Sequence, residues 1–339
     1  LLKVKVKQIQ DLKEVPLYKI PTSIEIYYDR KKERKSVTLE KVEEIFEIKC
    51  ERKPLFVNFD ADKTLLCVKN DRHSDDEWEY LYHNSELFKD KLEALERLSD
   101  DFIIPSTRWK TIKAALNDSL PAIRVFAISK VARAAQSSDS LLIWNKLVSI
   151  LMNDKISSVR QAALTSLLIG YKNTDPSSVL LKAINDSSYI ISGTSLIIYT
   201  NIHKDEGLKM ARAMKDPANK PLNQTLLNLF SRFGDERDAS YMLDVVSRVE
   251  GFDQYEALQM YSIYIQQIKD VKNVADGIDY IYNVATRDNI WFIRTAGIQA
   301  LYEIKETFKQ KEVLVDKIEM YLQQVKSTEK DYRVLQLIK

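Results

Sequence analysis

Few residues in this 339-residue chain have the chemistry for catalysis, and none is spaced for it. The histidines are His73, His83 and His203. None is followed by Glu and no two stand four apart, so the H-E-x-x-H pattern that sets two zinc-binding imidazoles on one helix face is absent. Cys50 and Cys67 form no Cys-x-x-Cys and lack further ligands at zinc spacing. The 7 glycines are isolated, so no glycine-rich loop cradles a phosphate, and no G-x-S-x-G frames a nucleophilic serine. Acidic runs such as Asp75-Asp76-Glu77 fall where a helix begins, and there they complement its N-terminal dipole. The reading is no catalytic residue and no metal ligand in this chain.

One charged pattern recurs. Asp118 is followed six residues later by Arg124, then by Ala127, Ile128 and Val131; Asp154 is followed by Arg160, Ala163, Leu164 and Leu167; Asp288 by Arg294, Gly297, Ile298 and Leu301. Weaker copies begin at Ser85 (with Lys91), Asp186 (with Ser192) and Asp216 (with Leu222). The spacing from Asp118 to Asp154, Asp186 and Asp216 is 36, 32 and 30 residues, room for two helices and two turns. In this template the Asp supplies a turn and capping oxygens, the small residue allows close helix approach, and the aliphatics form a buried stripe. The Arg can bond a loop Asp or carbonyl of its own or an adjacent repeat. Asp118, Arg124, Asp154, Arg160, Asp288 and Arg294 are therefore read as structural repeat residues.

The elements that position these residues fall into two parts. Residues 1–69 alternate with period two, as in Ile24, Ile26 and Tyr28, and six or seven short strands of a small β-sandwich are expected. Residues 70–84 form a junction. From 85 to 339 the period becomes helical, with fourteen helices predicted between 86–99 and 311–326, among them 107–117, 121–136 and 157–171, and an unassigned tail from Ser327. The fold class is thus multi-domain, a small N-terminal β-sandwich followed by an all-α HEAT-like superhelical solenoid, in which each helix pair buries its apolar face only by stacking. The scarcity of Gly (7) and Pro (8) suits long helices. A net charge of +2 recruits neither nucleic acid nor an acidic membrane, and no apolar run is long enough to span a bilayer. The dense basic run Arg30–Lys35 reads as a solvated hairpin tip. Cys50 and Cys67 fall in neighbouring predicted strands, where a disulfide is geometrically open and two free thiols is the preferred reading. Among the C-terminal aromatics, Tyr261, Tyr264 and Trp291 are candidates for a concave face contacting peptide, although helix periodicity lets core packing account for most of the set.

The most distinctive stretch is residues 53–98, KPLFVNFDADKTLLCVKNDRHSDDEWEYLYHNSELFKDKLEALERL, with Val6–Gln10, Tyr18–Pro21 and Ile24–Ile26 upstream. Together these resemble the C-terminal half of bacterial zinc aminopeptidases of the membrane alanyl aminopeptidase (gluzincin) family, where a small β-sandwich and then a HEAT-like domain follow the catalytic domain. The resemblance implies a parent metallopeptidase that hydrolyses N-terminal residues from peptides. Its zinc, general-base Glu and Gly-x-Met-Glu-Asn motif would lie in a catalytic domain upstream of this chain, so no cofactor is expected here. The Leu-Leu-Lys-Val start fits a cut within such a parent. The implied role is to close the active-site chamber and limit access. The implied partners are the parent's catalytic domain and its peptide substrate, with no nucleic acid and no membrane, in a bacterial cytoplasm or periplasm. The alternative is a non-enzymatic HEAT-type scaffold or adaptor.

Overall fold

Alternating apolar residues and a tight turn start the chain as antiparallel strands. In the computed structural model, which describes residues 1–100, 106–132, 139–216 and 218–338, five strands form: β1 (Leu2–Lys7), β2 (Ile20–Tyr28), β3 (Lys31–Leu39), β4 (Glu43–Ile48) and β5 (Phe56–Phe59). β1 pairs with β4, and β2 lies between β3 and β5, every pair antiparallel. Ile24, Ile26 and Tyr28 of β2 share one apolar cluster with Ile48 of β4, flanked by Leu2, Val4, Val37, Phe46, Val57 and Phe59, so the two small sheets have a common core. Five strands stand where six or seven are expected, and residues 8–19 carry none. Cys67 lies in no strand and is exposed, and both cysteines are free. The basic run corrects a second expectation. The turn is at Asp29-Arg30, with Arg30 in the left-handed region (φ 59°), and Lys31–Lys35 run along β3 rather than around the tip.

The second face of the β2 sheet is also covered. Tyr27 meets Phe56 edge-on at 6.1 Å and Tyr80 at 6.3 Å, and Phe56 stacks on His73 and packs against Trp78. Trp78 and Tyr80 belong to α1 (Asp75–Asn84), and His73 to the segment just before it. Ser74 and Glu77 start α1 with a reciprocal capping box, and Asp75, Asp76 and Glu77 occupy its first turn. Five further helices complete the first of two compact units, residues 1–173: α2 (Phe88–Leu98), α3 (Ser106–Ala115), α4 (Pro121–Val131), α5 (Ser140–Asn153) and α6 (Ser157–Gly170).

The second unit, residues 174–339, is helical throughout its described residues. It holds α7 (Ser177–Ala183), α8 (Tyr189–Ile202), α9 (Lys204–Ala213), α10 (Lys220–Phe233), α11 (Ala239–Ser247), α12 (Phe252–Ile265), α13 (Val271–Arg287), α14 (Trp291–Thr307), α15 (Glu312–Thr328) and α16 (Tyr332–Leu335). Each predicted helix has a counterpart among α2–α15. The predicted extension of α4 over 133–136 lies outside the described residues. α1 falls in the stretch set aside as a junction, and α16 in the unassigned tail. The chain is therefore mostly helical with a small N-terminal antiparallel β part. Among the described residues no helix is long and apolar enough to cross a membrane.

The small residue of the template sits at helix contacts. Ala94, Ala127, Ala163 and Ser195 are fully buried, and a Cβ added at Gly297 would stand 3.0 Å from the Ala285 Cβ. α13 and α14 therefore approach more closely than two larger side chains allow.

Candidate functional site

The recurring Asp and Arg do a common job, shown by their hydrogen bonds. Arg124 donates from Nε and Nη2 to both oxygens of Asp154 (2.8 and 2.9 Å) and from Nη1 to the backbone carbonyl of its own Asp118 (2.8 Å). Arg294 repeats the arrangement, with Nη1 on the Asp288 carbonyl at 2.9 Å and a fork onto Glu329 at 2.7 and 3.1 Å. Arg160 donates Nη1 to the Asp154 carbonyl at 2.9 Å. Lys91 of the weaker first copy reaches Asp118 at 2.8 Å. A cation in one copy thus binds the loop carboxylate of the next at Lys91–Asp118 and Arg124–Asp154, and Arg294 binds Glu329, the residue just after α15.

The turns explain why an Asp is needed. One oxygen of Asp118, Asp154, Asp186, Asp216 and Asp288 accepts the backbone N–H two residues on, at 2.7–2.9 Å. This refines the capping expectation. Leu120, Ile156, Ser188 and Ile290, the residues that begin α4, α6, α8 and α14, make no side-chain cap bond, so the carboxylate shapes the turn before the helix. In Asp118 and Asp154 the second oxygen then faces the cation of the preceding copy. Burial pushes the Asp118 carboxyl up, but hydrogen bonds from Lys91, the Leu120 N–H and Tyr82 outweigh it and hold the group below the usual range. Asp154 behaves likewise, with burial opposed by Arg124 and the Ile156 N–H. Glu329 is lowered chiefly by its bonds from Arg294. Where the sixth position is uncharged the rung is missing: Ser192 bonds the Ile184 carbonyl at 2.6 Å, and Leu222 is buried.

A second polar cluster joins the β part to α2, and its members show no spacing in the sequence. Asp90 is fully buried. It accepts from Asn58 of β5 (3.0 Å), from Ser85 (2.7 Å) and from the ammonium of Lys63 (3.0 Å). Lys63 also reaches Asn58 Oδ1 at 2.8 Å and Glu93 at 3.2 Å, and Glu93 lies 3.3 Å from Lys69. Burial disfavours the Lys63 charge, but Asp90 and Glu93 outweigh it and raise the group above its ordinary value. The loop bringing Lys63 inward uses two left-handed non-glycine residues, Asp60 (φ 57°) and Lys63 (φ 52°). Each such residue costs of order 1 kcal/mol. Asp60 offsets part of that by accepting the N–H groups of Thr64 and Leu65, both at 3.2 Å. The only sequence signal for this cluster is a polar Asn at an inward position of a strand.

Neither cluster is arranged for bond-breaking chemistry, since each carboxylate faces a cation or an N–H. A serine–histidine contact exists in the second unit, with Ser177 Oγ 2.8 Å from His203 Nε2. Ser177 Oγ is also 2.5 Å from Asp175, a carboxylate that can only accept. The hydroxyl proton therefore points to Asp175 and His203 Nε2 must donate to the serine, the reverse of what an activating base does. His73 is held below its usual value by burial, with Asp71 and Glu77 opposing. Among the described residues no group of three or more His, Cys, Asp or Glu side chains is placed to hold a metal ion.

The candidate peptide-contact residues divide. Tyr261 and Tyr264 are buried, stacked at 6.2 Å, and Tyr264 donates to the Asp235 carbonyl at 2.7 Å. Both belong to the core of α12, which corrects the expectation that they line an accessible face. Trp291 is half-buried, with the Arg333 guanidinium 4.2 Å from its ring centre. No family model matches the chain, and no curated protein is significantly similar to it.

Proposed function

We propose that this chain is the non-catalytic C-terminal region of a zinc-dependent aminopeptidase, closing the active-site chamber and limiting which peptides enter. In this reading 1–69 is a β-sandwich, 70–84 the junction and 85–339 a HEAT-like solenoid, and the zinc belongs to the parent's catalytic domain. The observation that carries the reading is the join. The stretch that resembles the aminopeptidases, 53–98, contains all of the buried bracket of Asn58, Lys63, Ser85 and Asp90. Such a bracket suits an arm that holds its position against a neighbouring domain better than two parts on a loose tether. The solenoid is supported by the cation–carboxylate rungs Lys91–Asp118 and Arg124–Asp154 in the first unit and by the similar pair Arg294–Glu329 in the second.

The test is the coding sequence immediately upstream of Leu1. The proposal expects an intact H-E-x-x-H followed by a downstream Glu ligand, and an alanyl-arylamide hydrolase activity in the full-length protein that chelation abolishes. A degraded motif, or a start codon directly before Leu1, would overturn it in favour of a scaffold.

A further inference from the structure

Residues 60–74 connect β5 to α1 without strand or helix. Leu66 and Val68, in the middle of this segment, are fully exposed, so burial of its own apolar side chains does not hold it down. Polar anchors do. Lys63 enters the Asp90 bracket, the Lys69 ammonium reaches Glu93 and the Phe59 carbonyl, each at 3.3 Å, and Arg97 donates to the Lys69 carbonyl at 3.2 Å. The anchor nearest α1 is of another kind. The His73 side chain keeps 13% exposure, lies on the Phe56 ring with centres 4.2 Å apart, and meets Trp78 edge-on at 4.8 Å.

This seat accepts a neutral imidazole better than a charged one. The groups facing it are Phe56 from β5, Trp78 and Glu77 from α1, and Lys69 and Asp71 from its own segment. Asp71 and Glu77 stand 3.9 and 3.6 Å from the two ring nitrogens. The oxygens they present are already committed. Asp71 Oδ2 holds the Lys69 ammonium at 2.8 Å, and Glu77 Oε2 accepts the N–H and the hydroxyl of Ser74 at 2.8 and 3.1 Å in the capping box of α1. An imidazolium in this position would therefore be largely desolvated with no free carboxylate beside it. Burial is the largest influence on His73 and pushes it below its ordinary value; Asp71 and Glu77 oppose the shift and Lys69 adds to it.

We propose that residues 70–74 form a pH-sensitive strap, seated over Phe56 at neutral pH and lifted when His73 takes up a proton in mild acid. Lifting uncovers Phe56, which is buried in the seated state. A histidine held below its ordinary value of about 6.5 stabilises the seated strap above that value, and the contribution is lost as pH falls through the folded value. If only the lifted strap binds the proton, the ratio of lifted to seated strap rises by at most about tenfold between pH 7.5 and 5.5. The proposal goes beyond the aminopeptidase reading and does not depend on it.

The test is electron paramagnetic resonance of the full chain with a spin label at Arg72→Cys, an exposed position, in a Cys50→Ser and Cys67→Ser background. The ratio of mobile to immobile label should rise about threefold to tenfold from pH 7.5 to 5.5. His73→Phe keeps a ring on Phe56 but cannot titrate, and should leave the ratio flat. His83→Gln and His203→Gln should retain the response. In the unlabelled chain, the His73 ring followed by NMR should titrate below about 6.5. The proposal is overturned by a ratio that does not change with pH, or by a response that survives in His73→Phe. Should His73→Phe fail to fold, the NMR titration decides alone, and a His73 midpoint at or above about 6.5 overturns the proposal.

Discussion

Asp154 and Asp90 are carboxylates with little or no exposure, and they join elements by different routes. Asp154 belongs to a rung that recurs: one oxygen shapes its own turn while both face the arginine of the preceding copy. Asp90 belongs to a bracket that occurs once, and its partners Asn58, Lys63 and Ser85 come from a strand, a loop and a helix boundary. The rung sits at the edge of the helix layers, where Arg124 and Asp154 keep 14% and 11% of side-chain exposure. The bracket is nearly dry, with Lys63 at 11% and Asp90 at 1%. The difference shows which polar contacts are tunable. A rung that breaks can be partly replaced by water, whereas a bracket that breaks at Asp90 leaves the Asn58 amide and the Ser85 hydroxyl without their buried acceptor and Lys63 with Glu93 as its remaining carboxylate.

The largest effect is therefore expected at the bracket. Asp90→Ala should lower stability by about 3–5 kcal/mol, because Lys63 and Asn58 lose their buried partner. Asp90→Asn should cost less, since it retains an acceptor for Ser85. Equilibrium urea unfolding checks both, and a midpoint for Asp90→Ala within error of wild type would remove the contrast between the two regions. Next in size, Arg160→Ala should cost about 1–3 kcal/mol, through the lost bond to the Asp154 carbonyl and lost stem packing. An unchanged denaturant midpoint for that variant would contradict the rung account.

Acid should act on the rungs. The carboxyls of Asp118, Asp154 and Glu329 lie below their ordinary values in the folded chain. A carboxyl lowered on folding contributes fully above its unfolded value of about 4 and loses that contribution as pH falls through its folded value. Stability should thus fall on acidification below about pH 4–5, and Asp154→Asn should reduce the slope of midpoint against pH. A slope as steep in the variant as in wild type would assign acid sensitivity elsewhere. The smallest effect should come from the hairpin. Lys31→Gln removes a solvent-screened pair with Glu33 and should leave the urea midpoint within error of wild type.

The same contrast explains what the sequence discloses. A rung is built from residues at fixed spacing in successive copies, so Asp118 with Arg124 and Asp288 with Arg294 stand out before any coordinates exist. The fourteen helices from α2 to α15 are legible for the same reason, because one stripe of Leu, Ile and Ala repeats every helical turn. The bracket has no such spacing, and only Asn58 within FVNF is locally out of place. Tyr27 and Phe56 show a second limit. Alternation correctly puts Ile24, Ile26 and Tyr28 on one face, but it assigns the other face to solvent, whereas α1 and the segment just before it cover it with Trp78, Tyr80 and His73. Tyr261 and Tyr264 mark a third, since aromatic residues at helical spacing serve core and surface alike until a neighbouring helix settles the matter.

The central claim is that the recurring charged residues brace successive helix pairs and form no chemical site. A double-mutant cycle on Arg124 and Asp154 tests it most directly. Urea midpoints of wild type, Arg124→Ala, Asp154→Ala and the double variant give the coupling between the two side chains. The account predicts a favourable coupling of about 1–2 kcal/mol. Additive single-variant losses, with coupling indistinguishable from zero, would contradict it.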